Sequence, residues 1–124
     1  MLLTVVTLLA DGCLDPCDNA SFKEFRSPSG KWKLVVFQRS CGATTDFTTQ
    51  ASLLPAGAPL PKKVGNVLSI DSKHGEVAVD SSGLIDVRVS FQGDSAMTLV
   101  YPAQARVFAQ VDTREGVAIR HERR

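Results

Sequence analysis

Apolar and polar residues alternate strictly between residues 85 and 91, and this period of two constrains the fold more than any other feature of the chain. Ile85, Val87, Val89 and Phe91 fall on one side of the run, and the residues between them are polar. Because successive side chains of a β-strand point to opposite faces, the pattern predicts a half-buried strand of an antiparallel sheet. We expect a central strand whose apolar face lies in the core.

Other segments also have strand patterns. Residues 31–39 carry apolar side chains on both faces, which predicts a central strand buried on both sides. Residues 47–53 alternate as residues 85–91 do, and the shorter candidates are residues 66–71, 97–101, 105–112 and 117–121. Residues 19–26, where Phe22 and Phe25 are three apart, are interpreted instead as one or two turns of helix.

Turn signals between these segments agree with the strand pattern. Short connections at residues 93–94 and 114–116 contain glycine and are typical of hairpins, whereas residues 55–61 and 72–83 are long loops. We therefore predict an all-β fold, an antiparallel meander of about six to eight strands that forms a curled sheet, a small sandwich or a partly open barrel. Burying Val35 and Phe37 together with the other face of their strand requires a second layer or strong coiling.

The N-terminal residues have features of an export leader. Residues 2–10 are apolar and are followed by Gly12 and Cys13, although no basic residue precedes them. The site resembles a bacterial lipoprotein signal, which implies that Cys13 is lipidated and attaches the protein to a membrane. A plain leader, or a strand or helix of the fold, are the alternatives; the run is too short for a transmembrane helix, which needs about 20 apolar residues. We divide the chain into a leader and tether, residues 1–17, and a single β domain, residues 18–124.

Composition excludes several classes of function. The chain is 44% hydrophobic and 22% charged with a net charge of +1, as in an ordinary globular domain. Its basic residues are scattered apart from a short C-terminal cluster, so we expect no nucleic-acid partner. The cysteines and histidines lack the spacing of a metal site, and no glycine-rich phosphate loop is present. We therefore expect no metal and no cofactor.

The three cysteines suggest a disulfide. If Cys13 is lipidated or removed, Cys17 and Cys41 remain as an even pair, and an oxidising compartment would preserve a bond between them. The alternative is three free thiols in a cytosolic protein. A free Cys41 could serve as the nucleophile of a small enzyme or redox protein, with His74 or His121 as its base, but neither histidine stands in a recognisable relation to it. We expect no enzymatic activity.

Residues 39–46 join two of the predicted strands and are rich in polar side chains. Loops on a rigid β scaffold often carry binding residues, so we predict a binding loop formed by Arg39, Thr44, Thr45 and Asp46. Arginine can form forked hydrogen bonds with a carboxylate of a polar partner. In the alternative, the threonines and Asp46 make only local turn bonds with the backbone, and Arg39 pairs with Asp46 across the base of the loop.

The stretch Arg-Ser-Cys-Gly-Ala-Thr-Thr at residues 39–45, with Ser-Pro-Ser-Gly-Lys at residues 27–31, resembles a group of small, functionally uncharacterised bacterial envelope proteins. Many of them have lipoprotein-type leaders, and the resemblance covers most of the chain after Cys17. It implies export to the periplasm or attachment to a membrane by a lipid, and it implies no activity. We therefore expect a non-enzymatic binding module of the envelope with a protein partner, such as an immunity or inhibitor protein. A small enzyme or redox protein that uses Cys41 is the alternative.

Overall fold

The computed structural model describes residues 16–42 and 47–124, and these residues form strands and loops without any helix. The all-β prediction is therefore confirmed. No helix capable of crossing a membrane occurs in these two ranges. The strands are β1 (Asp18–Arg26), β2 (Trp32–Ser40), β3 (Thr48–Pro55), β4 (Leu68–Asp71), β5 (Arg88–Gln92), β6 (Ala96–Tyr101), β7 (Arg106–Gln110), β8 (Thr113–Arg114) and β9 (Val117–Arg123).

The nine strands form two sheets. The first has the order β1-β2-β3-β4-β7 and is antiparallel throughout. The second has the order β5-β6-β9-β8, and in it β6 and β9 are parallel. The predicted hairpins join β5 to β6 and β8 to β9. A meander holds only from β1 to β4, because the chain changes sheets after β4, β6 and β7.

The inner faces of the two sheets pack around one hydrophobic core. The first sheet contributes residues such as Leu34, Leu53 and Ile70, and the second contributes Leu99 and Ile119, each at most 4% exposed. Burying apolar surface from both sheets is the main source of stability for such a pair of layers. The domain is therefore a two-layer sandwich that does not close into a barrel.

Strand β2 is buried on both faces, as predicted, but a loop rather than a sheet covers its outer face. Val35 and Phe37 point away from the main core and pack with Leu54. Ala58 and Leu60, from the proline-containing loop after β3, complete this small cluster. The loop therefore supplies the second cover that the apolar pattern of residues 31–39 requires.

Gly65 brings the end of this loop directly against β3. A Cβ atom at Gly65 would lie 2.6 Å from the carbonyl oxygen of Ala51, so only glycine fits without a shift. The Gly65 amide donates to Oε1 of Gln50 at 2.6 Å, and the Asn66 side chain bonds both backbone groups of Leu53. These contacts fix the position of the segment that lies over the outer face of β3.

The helical interpretation of residues 19–26 is wrong, because they form β1. Residues three apart on a strand point to opposite faces. Phe25 accordingly packs against the main core, whereas Phe22 is 57% exposed. The pairing with β2 shifts between Ala20 and Lys23, where Ser21 has a φ of 60°. This bulge interrupts the period of two and conceals the strand pattern in the sequence.

The predicted burial pattern of residues 85–91 is correct, but the strand is not central. Ile85 and Val87 are buried, Val89 and Phe91 pack against the core, and Arg88 is exposed. Strand β5 begins only at Arg88 and occupies an edge of the second sheet. Its apolar face is buried by the first sheet, so an edge strand can show the same alternation as a central one.

Candidate functional site

Two clefts lie beside the adjacent ends of β2 and β3. The cleft on the core side of the first sheet, here called the inner cleft, has a volume of about 370 Å³. The one on the other side, here called the outer cleft, has a volume of about 380 Å³. The inner cleft is lined by Gln38, Phe47, Thr49, Ser72, His74, Gly75, Val79, Gly83 and Ile85. The outer cleft is lined by Arg39, Cys41, Thr48, Gln50, Val64, Asp71, Arg106 and Phe108.

A disulfide between Cys17 and Cys41 lies at this end of the domain, as predicted from the sequence. Cys17 precedes β1 and Cys41 follows β2, so the bond joins the neighbouring ends of two paired strands. Cys41 also lines the outer cleft. The disulfide therefore holds one wall of the cleft to the N-terminal segment. Cys13, the predicted lipidation site, lies outside the described residues.

Strand pairing places one row of polar side chains across the outer face of the first sheet. Asn19, Arg39, Thr48, Asp71 and Arg106 are successive partners in the pairing of five adjacent strands. Nη1 of Arg39 donates to Oδ1 of Asn19 at 2.7 Å. At the other end of the row, Arg106 donates to both oxygens of Asp71, at 3.2 and 2.5 Å. All members of the row except Asn19 line the outer cleft.

Asn19 connects this row to the proline-containing loop after β3, here called the covering loop because it covers the outer face of β2. Its Nδ2 atom donates to the carbonyl oxygens of Pro61 and Lys63, at 3.2 and 3.1 Å. Its Oδ1 atom accepts the bond from Arg39. One amide side chain therefore fixes the loop and orients the Arg39 guanidinium at the same time.

Asp71 is ionised at neutral pH despite its burial. Burial would by itself raise the pKa of this carboxyl. The hydrogen bonds from Arg106 and from the Lys73 amide outweigh that effect, with smaller electrostatic contributions from the nearby Arg106 and His74, and hold the pKa below its ordinary value. The Asp71–Arg106 pair is consequently charged and mutually neutralised.

The structure places Arg39 in β2 rather than in an exposed loop, and its side chain is only 8% exposed. Thr44, Thr45 and Asp46 lie outside the described residues, so their part in binding stays a prediction. The same holds for the alternative ion pair between Arg39 and Asp46. Of the four predicted binding residues, Arg39 is thus the one that the structure assigns to a cleft.

The two histidines considered as bases have separate surroundings. His74 lines the inner cleft. Nε2 of His121 donates to the carbonyl oxygen of Val111 at 2.7 Å, and its Nδ1 lies 2.9 Å from the Tyr101 hydroxyl. Within residues 16–42 and 47–124, no group of three or more histidine, cysteine or acidic side chains could hold a metal ion.

Exposed apolar side chains concentrate at the two clefts. Among the described residues, five large apolar side chains are more than half exposed. Phe47 and Val79 line the inner cleft, Val64 and Phe108 line the outer cleft, and Phe22 lies elsewhere. None of these four cleft residues is among the predicted binding residues. A signal was present at Phe108, which shares the polar face of β7 with Arg106 and so breaks the alternation.

Comparisons of the chain with protein-family models, with curated proteins and with solved structures give no match. The fold and the two clefts are therefore interpreted from their own geometry.

Proposed function

We propose that the chain is a non-enzymatic binding module of the bacterial cell envelope that recognises a protein partner through the end of the domain containing the two clefts. An immunity or inhibitor protein is the narrower form of this proposal. The observation that carries it concerns the five large apolar side chains that are exposed in the described part of the chain, four of which lie in the inner and outer clefts. Exposed apolar side chains grouped in clefts with polar groups around them are typical of protein interaction sites.

The disulfide supports the envelope as the location. Disulfides persist in oxidising compartments such as the periplasm and are rare in the bacterial cytosol. The bond between Cys17 and Cys41 agrees with the leader-like residues 1–17 and with the resemblance to envelope proteins. In this proposal a lipid on Cys13 attaches the module to the membrane, and the mass of the mature N-terminal peptide tests that part.

The disulfide also favours binding over the alternative of a cysteine-dependent enzyme. The nucleophile in such an enzyme is a thiolate, and a sulfur that is bonded to Cys17 carries none. Titration of free thiols in the native and the denatured protein tests the choice directly. Absence of titratable thiol from Cys41 in both states supports the binding module, and a fast-reacting Cys41 in the native protein would favour the enzyme.

Site-specific photo-crosslinking in the source cells tests the position of the binding surface. A benzophenone amino acid is introduced at Phe47, Phe108 or Phe22 in separate variants. Phe22 is the matched control, because it is 57% exposed and its strand is the opposite edge of the first sheet from that of Phe108. We expect positions 47 and 108 to give an adduct of the same mass that position 22 does not give.

Substitutions then link the adduct to the clefts. Val64→Ser removes an exposed apolar side chain from the outer cleft and should weaken the adduct at position 108 without lowering the melting temperature. Equal adducts at all three positions, or none at positions 47 and 108, would contradict the proposal.

A further inference from the structure

The outer cleft contains a buried positive charge, that of Arg39, which has no negative partner among the described residues. The described residues include three buried charged side chains, Lys33, Arg39 and Asp71. Lys33 lies 4.0 Å from Glu24, and Asp71 is paired with Arg106. The side chain of Arg39, by contrast, bonds only the neutral side chain of Asn19 within residues 16–42 and 47–124.

The Arg39 guanidinium has more hydrogen-bond donors than its bond to Asn19 uses. The guanidinium carries five N–H groups, and Asn19 accepts one of them. No nitrogen of Arg39 is both buried and without a partner in the described part of the chain, so the remaining donors keep access to the surface. The surface that Arg39 lines is the outer cleft.

Among the described residues that line the cleft, the charge balance is positive. Asp71 and Arg106 neutralise each other through two hydrogen bonds, which leaves the charge of Arg39 uncompensated. A buried arginine is stabilised most when a carboxylate accepts two of its N–H bonds in a forked arrangement. A group of complementary charge is therefore favoured in the cleft.

The apolar residues at the rim indicate what kind of molecule carries that group. Val64 and Phe108 are 64% and 55% exposed and line the same cleft as Arg39. The guanidinium of Arg106 lies 5.1 Å from the centre of the Phe108 ring and extends the flat surface beside it. A small inorganic anion would leave these side chains in water, whereas a peptide segment can cover them.

We propose that the outer cleft binds an acidic side chain of the partner protein, flanked by apolar residues, with the carboxylate on Arg39 and the apolar side chains on Val64 and Phe108. This inference rests on the proposed function and specifies the chemistry that the outer cleft recognises. It depends on charge complementarity at Arg39, whereas the proposed function depends on the exposed apolar side chains.

Peptide titration followed by NMR tests the proposal. The probes are the capped tripeptide Leu-Asp-Leu and its neutral counterpart Leu-Asn-Leu, added to the ¹⁵N-labelled full chain. We expect the acidic probe to shift the Arg39 Nε–H signal and the Thr48 amide signal in a saturable way. The neutral probe should bind about tenfold more weakly, because a charge-assisted hydrogen bond is lost. Equal affinity of the two probes, or shifts confined to other surfaces, would overturn the proposal.

Variants of the protein assign the effect to the cleft. Arg39→Gln should reduce affinity for the acidic probe about tenfold and remove the difference between the probes. Phe108→Ser should weaken the binding of both probes equally. Because Phe108 is exposed, this variant should fold, so the test remains valid if the Arg39 variant does not fold. Arg88→Ala is the control, because Arg88 is an exposed arginine of the second sheet. Unchanged binding by both Arg39→Gln and Phe108→Ser would overturn the proposal.

The Asp46→Asn variant examines whether this chain supplies the carboxylate itself. If the acidic probe binds only after Asp46→Asn, the site is occupied by the chain's own side chain and the proposal is wrong. The two proposals can fail separately. If photo-crosslinking gives adducts at positions 47 and 108 but the NMR titration shows no preference for the acidic probe, only the carboxylate site is refuted and the proposed function stands.

Discussion

Gly65→Ala measures how tightly the covering loop is held against the first sheet. The new Cβ atom would lie 2.6 Å from the carbonyl oxygen of Ala51 and 2.9 Å from both its nitrogen and the carbonyl oxygen of Leu68. Ordinary contact begins near 3.4 Å, so the segment has to move by about 0.8 Å, the difference between 3.4 and 2.6 Å. All three contacted atoms belong to the backbone, so no side-chain rotation relieves the overlap.

We expect Gly65→Ala to cost about 3 kcal/mol, the upper part of the range for overpacked sites. For a domain of this size each kcal/mol lowers the melting temperature by about 4 °C, so the expected loss is about 12 °C. The assay is thermal unfolding followed by circular dichroism. The displacement should also weaken binding at the outer cleft, because Val64 adjoins Gly65 and lines it.

Gly57→Ala is the matched control, since Gly57 belongs to the same loop. A Cβ atom there meets nothing within 4 Å, and its φ is not in the left-handed region. Restricting the unfolded chain should leave stability unchanged or raise it by about 0.4–1 kcal/mol. Melting of Gly65→Ala within about 2 °C of Gly57→Ala would refute the close approach of the loop to β3.

Three other outcomes are expected. The double variant Cys17→Ser/Cys41→Ser should lose about 3 kcal/mol in urea unfolding, because the bond closes a loop with a sequence separation of 24; an unchanged midpoint would contradict this. Asp71→Asn should melt below the parent at pH 7, and the difference in melting temperature should narrow as the pH falls below 3.8. The reason is that a carboxyl whose pKa is lowered in the folded state stabilises the fold above its ordinary pKa and loses this effect at lower pH. An equally large difference in melting temperature at pH 2 would refute the prediction. Val87→Asp should unfold the domain, because burying a charge costs several kcal/mol against a total free energy of unfolding of about 5–15 kcal/mol. Arg88→Ala should leave the melting temperature nearly unchanged. Similar melting curves for the two variants would refute the alternation.

The elements that the sequence predicts well are those with a local pattern. The alternation within residues 85–91 depends only on which residues face the core, and burial follows it in the structure, as it follows the two-sided burial predicted for residues 31–39. Residues 47–53 also alternate in sequence, but Gln50 and Ser52 on their polar face are buried, because their side chains bond the backbone of residues 65 and 66. The pairing partner of each strand is not predictable from a local pattern, because it depends on residues that are distant in sequence. The parallel pairing of β6 with β9 and the position of β5 at an edge have no local signal.

The candidate site shows the same division. The polar neighbours of Arg39 along the chain predict that it is a binding residue, and the structure places it at a cleft. Its burial depends on Asn19 in β1 and on the loop that Asn19 holds, neither of which is adjacent in sequence. The pairing of Asp71 with Arg106 likewise requires β4 and β7 to be neighbours across 35 residues. Long-range pairing thus decides which charges in the cleft are compensated.

The position of β9 between β6 and β8 has a consequence for how the domain folds. The β5–β6 hairpin can form early from adjacent residues, but β9, the second interior strand of this sheet, joins it only when residues 117–123 pair with β6. Non-local pairing of this kind gives slow folding, in milliseconds to seconds for small β domains. Truncating the chain just before Val117 would remove β9, the shared neighbour of β6 and β8, so the truncated domain should lose its fold cooperatively.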